Sequence, residues 1–328
     1  MKKNIIKNLI ATVLALATAA SVFAGSTKSK NQAIRLAGLK GPTTIGMVKL
    51  LDDAEKNLTK NKYDFTMAVS ADEITPRFLK GELDIIAVPA NLGAILYNKS
   101  NGQAKMLAIN TLGVLYIVEK GGKSIQSLKD LAGKTIYATG KGTTPEFALR
   151  YLLSQNGLDL DKDVTVEWKS EPTEIVALMA TKENAVAMMP QPFVTVAGTK
   201  LKDLRVALNL TEEWDSLKNG SKFITAGLII RKDFLEKNKK AVKTFLKEYA
   251  ASTKYANEHV PETAQLVEKY NIVKAPVAEK AIPYCNIVCI TGKKMQESVS
   301  GYLEVLFKQK PAVTGGKLPA EDFYWSHE

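Results

Sequence analysis

The chain has 328 residues, 45% of them hydrophobic, with 21 glycines, 12 prolines and no low-complexity tract. That is room for two ordinary domains or one large one, and it excludes a disordered or fibrous chain. Two cysteines exclude a disulfide-stapled scaffold and multi-thiolate metal or iron–sulfur sites, and two histidines leave little for zinc catalysis or a Ser-His-Asp engine.

The formal charge of +11 includes an N-terminal leader. Lys2, Lys3 and Lys7 precede the uncharged apolar stretch from Leu9 to Ala20, and Val22-Phe23-Ala24 supplies small residues where a signal peptidase reads. Residues 1–24 are therefore expected to be a signal peptide, too short to anchor in a bilayer. No cysteine follows to carry a lipid, so the mature protein is expected in the periplasm. Cleavage removes three lysines and no acid, lowering the charge to +8. The remaining lysines are scattered, several along one helix with Glu236 and Glu248. No arginine stripe alternates with aromatics, so no nucleic acid is expected as a partner; a weak attraction to anionic ligands or membrane surfaces survives.

The mature chain alternates β-branched runs with amphipathic helices, which predicts an α/β fold. Strands are expected over Ala33–Ala37, Tyr63–Val69, Asp84–Val88, Gly113–Val118, Lys134–Ala138, Val164–Trp168 and Leu228–Ile230, with a helix from about Ile45 to Leu58 after the first. From Lys232 onward the chain reads as mainly helical. One internal echo, Lys80-Gly-Glu-Leu-Asp-Ile-Ile-Ala-Val-Pro against Thr181-Lys-Glu-Asn-Ala-Val-Ala-Met-Met-Pro, points to two halves built to one plan, with chance similarity as the competing reading.

In open α/β sheets a ligand sits beyond the carboxyl ends of the strands. The strand-to-helix loops therefore form the candidate site. Gly41-Pro42-Thr43-Thr44 and Gly142-Thr143-Thr144-Pro145 each bring glycine and paired threonines to a helix start. Free N–H groups, hydroxyls and the helix dipole there suit a carboxylate, sulfonate or phosphate, and ordinary capping is the alternative. Ser70-Ala71-Asp72-Glu73 reads as a capping box, and Asn91 and Gln191 follow strand-ending prolines. Lys40 and Lys141 flank the threonine loops, as ligand charge or as solvated surface. Phe193, Trp214 and Tyr137 are candidates for packing on a ligand or in the core.

Other motifs carry less. Gly140-x-Gly142 lacks the third glycine of a dinucleotide loop, and no phosphate-binding Gly-Lys-Ser/Thr loop exists. Cys285 and Cys289, read as extended, stand about 13 Å apart and are expected to be free thiols. His259 lies among charged residues and reads as solvated. No cofactor, metal or catalytic base–nucleophile pair is expected.

The opening Ile34-Arg-Leu-Ala-Gly-Leu-Lys-Gly-Pro-Thr-Thr, the segment Gly81-Glu-Leu-Asp-Ile-Ile-Ala and Ser127-Leu-Lys-Asp-Leu-Ala-Gly-Lys-Thr-Ile together resemble the substrate-binding proteins of ABC importers. The branch is the one serving nitrate, sulfonates, taurine and thiamine-precursor pyrimidines. The resemblance implies a two-lobed, type II periplasmic-binding-protein fold with two crossing segments. Lobe 1 would take residues 25–112 and 228–328 and lobe 2 residues 113–227, with hinge glycines Gly113 and Gly227. It implies a monomeric, non-enzymatic receptor that hands a small organic solute to an ABC permease and its ATPase. A ligand-presenting sensor is the alternative, and a periplasmic enzyme of the same fold a remoter one. The family's ligand loops fall on Gly41, Pro42, Thr43, Thr44, Ser70, Asn91, Gly142, Thr143, Thr144, Gln191 and Phe193, and Trp214 joins them as an aromatic candidate. The cysteine-rich segment and sacrificial histidine of the eukaryotic pyrimidine-forming relative have no counterpart here.

Overall fold

The computed structural model describes residues 33–326, so the expected signal peptide lies outside the described residues. In chain order the strands are β1 (Ile34–Leu39), β2 (Tyr63–Ala68), β3 (Ile85–Pro89), β4 (Ala104–Leu112), β5 (Leu115–Lys120), β6 (Thr135–Thr139), β7 (Thr165–Lys169), β8 (Ala185–Pro190), β9 (Leu204–Asn209), β10 (Ile224–Arg231) and β11 (Ile287–Ile290). They form two sheets, ordered β11-β4-β10-β3-β1-β2 and β7-β6-β8-β5-β9.

The internal echo has a structural counterpart. β2, β1 and β3 run parallel in that spatial order, and so do β7, β6 and β8. An antiparallel strand then flanks each trio, β10 beside β3 and β5 beside β8. β3 and β8 are apolar throughout because helices cover both faces of the parallel part. One buried cluster runs from Ile86 and Ile229 of the first sheet to Ile117, Ile136 and Met188 of the second, so a continuous core joins them.

Three elements differ from expectation: β4, the first helix and β9. β4 escapes the pattern because Lys105, Asn110 and Thr111 interrupt its apolar run, yet all three are buried. Lys105 meets Asp322, and the Asn110 amide donates to Thr43 O at 3.0 Å. The helix expected over 45–58 is split into Pro42–Ile45 and Val48–Glu55. Between them, the Ser252 hydroxyl donates to Gly46 O at 2.7 Å and accepts from Leu50 N at 3.0 Å, taking over two backbone groups of the turn. β9 and β11 are edge strands with few buried residues; β11 falls where the sequence read as extended, whereas β9, in which Leu204, Val206 and Leu208 alternate with Arg205 and Ala207, was not among the expected strands.

The chain passes between the sheets at 113–114 and again after the helix Leu210–Ser216, through 217–223. Gly227 is not on that second passage. It is paired with Val88 and Ile109 in the middle of β10, and a Cβ there would collide with Met106. Its glycine serves close strand packing. Cys285 and Cys289 are free as expected, although Cys285 ends the 3-10 turn Ile282–Tyr284 and only Cys289 lies in the expected extended run; burial pushes the Cys289 thiol up to about 11. His259 is exposed at a break between helices and stacks on Tyr255.

Candidate functional site

The strand-to-helix loops of both sheets converge on one cavity of about 330 Å³. The loop after β1 contributes Lys40, Pro42 and Thr43; the loop after β2 contributes Val69, Ser70 and Asp72; β3 ends on Pro89. From the second sheet, β6 is followed by Gly140, Lys141, Thr143 and Pro145, β7 by Ser170 and Pro172, and β8 by Phe193. Lys169 and Pro190 close their strands at the wall. Leu115, Thr225 and Ala226, where the chain enters β5 and β10, line it as well.

Of the residues singled out in the sequence, Pro42, Thr43, Ser70, Thr143 and Phe193 line this cavity, together with Lys40 and Lys141. Gly41 stands just behind, where a Cβ would lie 3.5 Å from Phe193 Cε2 and its φ of 141° would strain any side chain. Others are committed elsewhere. The Thr44 hydroxyl donates to Leu39 O at 2.7 Å. Thr144, fully buried, donates to Asn91 Oδ1 at 3.1 Å, and the Asn91 amide donates to Val313 O. Gln191 Oε1 accepts from the Thr195 hydroxyl at 2.8 Å, and the Gly142 N–H is held by Glu146. Trp214 is fully buried and stacked against Phe223, its indole N–H donating to Ser221. Tyr137, in the middle of β6, is buried in the core with Ile175, Val176 and Met179.

The local chemistry of the threonine loops also differs from the expected one. Thr143 occupies the N-cap of the helix Thr144–Gln155, but its hydroxyl donates back to Gly140 O at 2.8 Å and serves no helix N–H. Pro145 near the helix start removes one of the N–H groups a cap would satisfy. Thr43 donates to Leu39 O at 2.9 Å. Prolines open the helices at Pro42, Pro145 and Pro172, so these helix starts offer fewer backbone donors than their dipoles suggested. Ser70 keeps the expected capping box: it accepts from the Glu73 N–H, which leaves its own proton for a ligand.

The charge in the cavity is cationic. Lys40 and Lys141 have no ion-pair partner among the described residues, whereas Lys169 Nζ lies 3.1 Å from the Glu167 carboxylate. Asp72 is the acid facing them. The remaining wall mixes prolines, Leu39, Leu115, Val69 and Phe193 with the hydroxyls of Thr43, Ser70, Thr139, Thr143, Ser170 and Thr225, so the site combines an apolar body with hydroxyl and ammonium groups. Lys169, Ser170 and Thr225 were not singled out in the sequence, whereas Pro89 and Pro190, read there as strand ends, line the cavity as well. No histidine or cysteine lines the cavity, and among the described residues no cluster of His, Cys, Asp and Glu is placed to hold a metal.

Comparison with solved structures gives the fold. An ABC transporter structure from Parabacteroides distasonis is 24% identical and superposes with a TM-score of 0.75, over 91% of this chain and 100% of its own. The periplasmic aliphatic sulphonate binding protein SsuA from Escherichia coli is 15% identical, with a TM-score of 0.72 over 90% of this chain and 93% of its own. The periplasmic nitrate-binding protein NrtA from Synechocystis is 14% identical, with a TM-score of 0.59 over 76% and 69%. No curated protein matches the sequence. The architecture is thus the two-lobed, type II periplasmic-binding-protein fold. The NMT1/THI5-like family model matches residues 101–264, half of the chain, and the chain belongs to that family.

Proposed function

We propose that the protein is a solute-binding receptor that closes on a small organic anion and delivers it to the permease of an ABC importer, without chemistry of its own. The observation that carries this reading is the cavity itself, where loops from two sheets of one plan bring unpaired Lys40 and Lys141 against an apolar wall. A receptor lobe would then comprise about residues 34–112 with 224–326, and the other 113–223. Export to the periplasm is supported by the leader and by the periplasmic relatives of the same fold. Among the described residues no helix is long and apolar enough to cross a membrane.

The lysines favour one delocalised charge on an organic body, a sulfonate or carboxylate. Arginine forks, which suit a multiply charged phosphate, are absent from the wall. A neutral pyrimidine has Phe193 for stacking but loses Trp214. Isothermal titration with ethanesulfonate, benzoate, nitrate and a hydroxymethylpyrimidine tests the reading. Binding of an organic anion, weakened at least tenfold in Lys40→Ala/Lys141→Ala, is expected, since a hydrogen bond to a charged group contributes about 1.5–3 kcal/mol. Tight binding of the pyrimidine with none of the anions would overturn it.

A further inference from the structure

The helix Lys239–Glu258 breaks a local rule. It has no acidic residue in its first turn, yet Lys239, Lys240 and Lys243 crowd the end where the helix dipole is positive and cations are disfavoured. At 100° per residue, Lys239, Lys243, Lys247 and Lys240 fall within one stripe of about 100°, continued by Ala250 and Ala251. All are exposed, while Val242, Phe245, Leu246 and Tyr249 bury the opposite face. None of the four lysines has an ion-pair partner among the described residues; only Lys254, further along, meets Glu258, at 3.9 Å. Glu248, at the margin, is already taken by Tyr63 and by the Lys60 N–H.

The loop before β2 extends this face. Asn61 donates to Ala241 O at 2.9 Å, which sets the exposed Lys60 and Lys62 beside the helix. In the same loop Leu58 is 70% exposed, an apolar tip among lysines. Lys60 and Lys62 precede β2, and the cavity residues Val69, Ser70 and Asp72 follow it, so the strand's six residues, about 20 Å, separate this loop from the cavity.

We propose that this face docks the protein on an anionic lipid surface. The unpaired charge is all lysine, flexible point charges on an amphipathic helix, with Leu58 as a single apolar tip at the rim of a small cavity of about 220 Å³ beside Ala251. Specific protein interfaces are depleted in lysine and built on aromatic and arginine anchors, which this face lacks. Breaking the dipole rule without any intramolecular partner is the mark of a surface kept for something outside the chain.

Co-flotation of the mature protein with vesicles tests the proposal. With 30% phosphatidylglycerol in phosphatidylcholine at 50 mM salt, binding is expected; it should fall more than tenfold at 300 mM salt and vanish on pure phosphatidylcholine. Lys240→Gln/Lys243→Gln/Lys247→Gln should weaken vesicle binding at least tenfold with an unchanged or raised Tm, because it also relieves the helix start. The charge-matched Lys293→Gln/Lys294→Gln/Lys308→Gln should bind as the parent does. Equal losses in both triple variants, or no vesicle binding, would overturn the proposal. Retention on immobilised polyglutamate without vesicle binding would assign the face to an acidic protein instead.

Discussion

Thr144 gives its hydroxyl proton to Asn91 Oδ1, and both residues are fully buried where the helix Thr144–Gln155 meets the helix Ala90–Lys99. A hydroxyl held this way serves the scaffold. Thr144→Val keeps the shape and leaves the Asn91 oxygen without its donor, which costs about 1–3 kcal/mol and lowers Tm by roughly 2–8 °C. Solute affinity should change less than threefold. A thermal melt and a titration on the same variant check this, and a tenfold affinity loss with an unchanged melt would return Thr144 to the ligand. The residue types of the site were legible in the sequence; which neighbour each hydroxyl faces was not. Thr43 and Thr44 are adjacent and chemically identical, yet the first lines the cavity and the second is sealed behind it, a distinction set by one peptide's rotation in a four-residue helix.

At the scale of elements, the segment following the helix Gly292–Gln309 clamps the helix Ala90–Lys99. Asn98 donates to Thr314 O at 2.7 Å, Tyr97 donates to Asp322, and Lys105 of β4 reaches the same carboxylate. Lys105 and then Tyr97 hold the Asp322 carboxyl below the usual carboxylate range, against a smaller opposing effect of burial. A carboxyl with a depressed folded-state pKa adds stability above its ordinary pKa and loses it as the pH falls through the depressed value. Asp322→Asn should therefore cost about 1 kcal/mol at pH 7, a modest figure because the carboxylate is well exposed. That difference should vanish near pH 2, as urea melts of both proteins at the two pH values would show; a difference independent of pH would count against the ion pair. Parallel strands such as β3 announced themselves by apolar runs covered on both faces. β4 did not, since Lys105 is neutralised by a residue more than two hundred positions away, beyond the reach of any local pattern.

For the whole molecule, two passages between the sheets, at 113–114 and 217–223, permit the halves to rotate about one side. That side is tied by the Asn91–Thr144 bond, by Gln309 donating to Ser154 Oγ at 2.7 Å, and by the aromatic cluster of Tyr151, Trp214, Phe223 and Tyr302. Closure on a solute should lower the radius of gyration from about 19 Å, and small-angle scattering with and without a bound solute measures it. An unchanged radius at saturation would show that the halves do not move. The bilobal plan itself was readable from the repeated apolar strand closed by Pro89 and Pro190. The hinge was not, because Gly227 looks flexible until Met106 and the flanking strands are seen to enclose it.

The placement of β10 has a consequence for the order in which the chain acquires its structure. The sheet β7-β6-β8-β5-β9 is drawn from one uninterrupted stretch, residues 115–209, and every strand it needs has been made once Asn209 emerges. The other sheet has a gap at its centre until β10 arrives, more than a hundred residues after β4, and β11 comes later still. During synthesis or passage through a translocation pore, the later-encoded half can form first, while β1 to β3 wait as parallel strands without the neighbour that joins them to β4. The first-made third of the chain is thus the last to be sealed, and it is the part a chaperone would have to shelter longest.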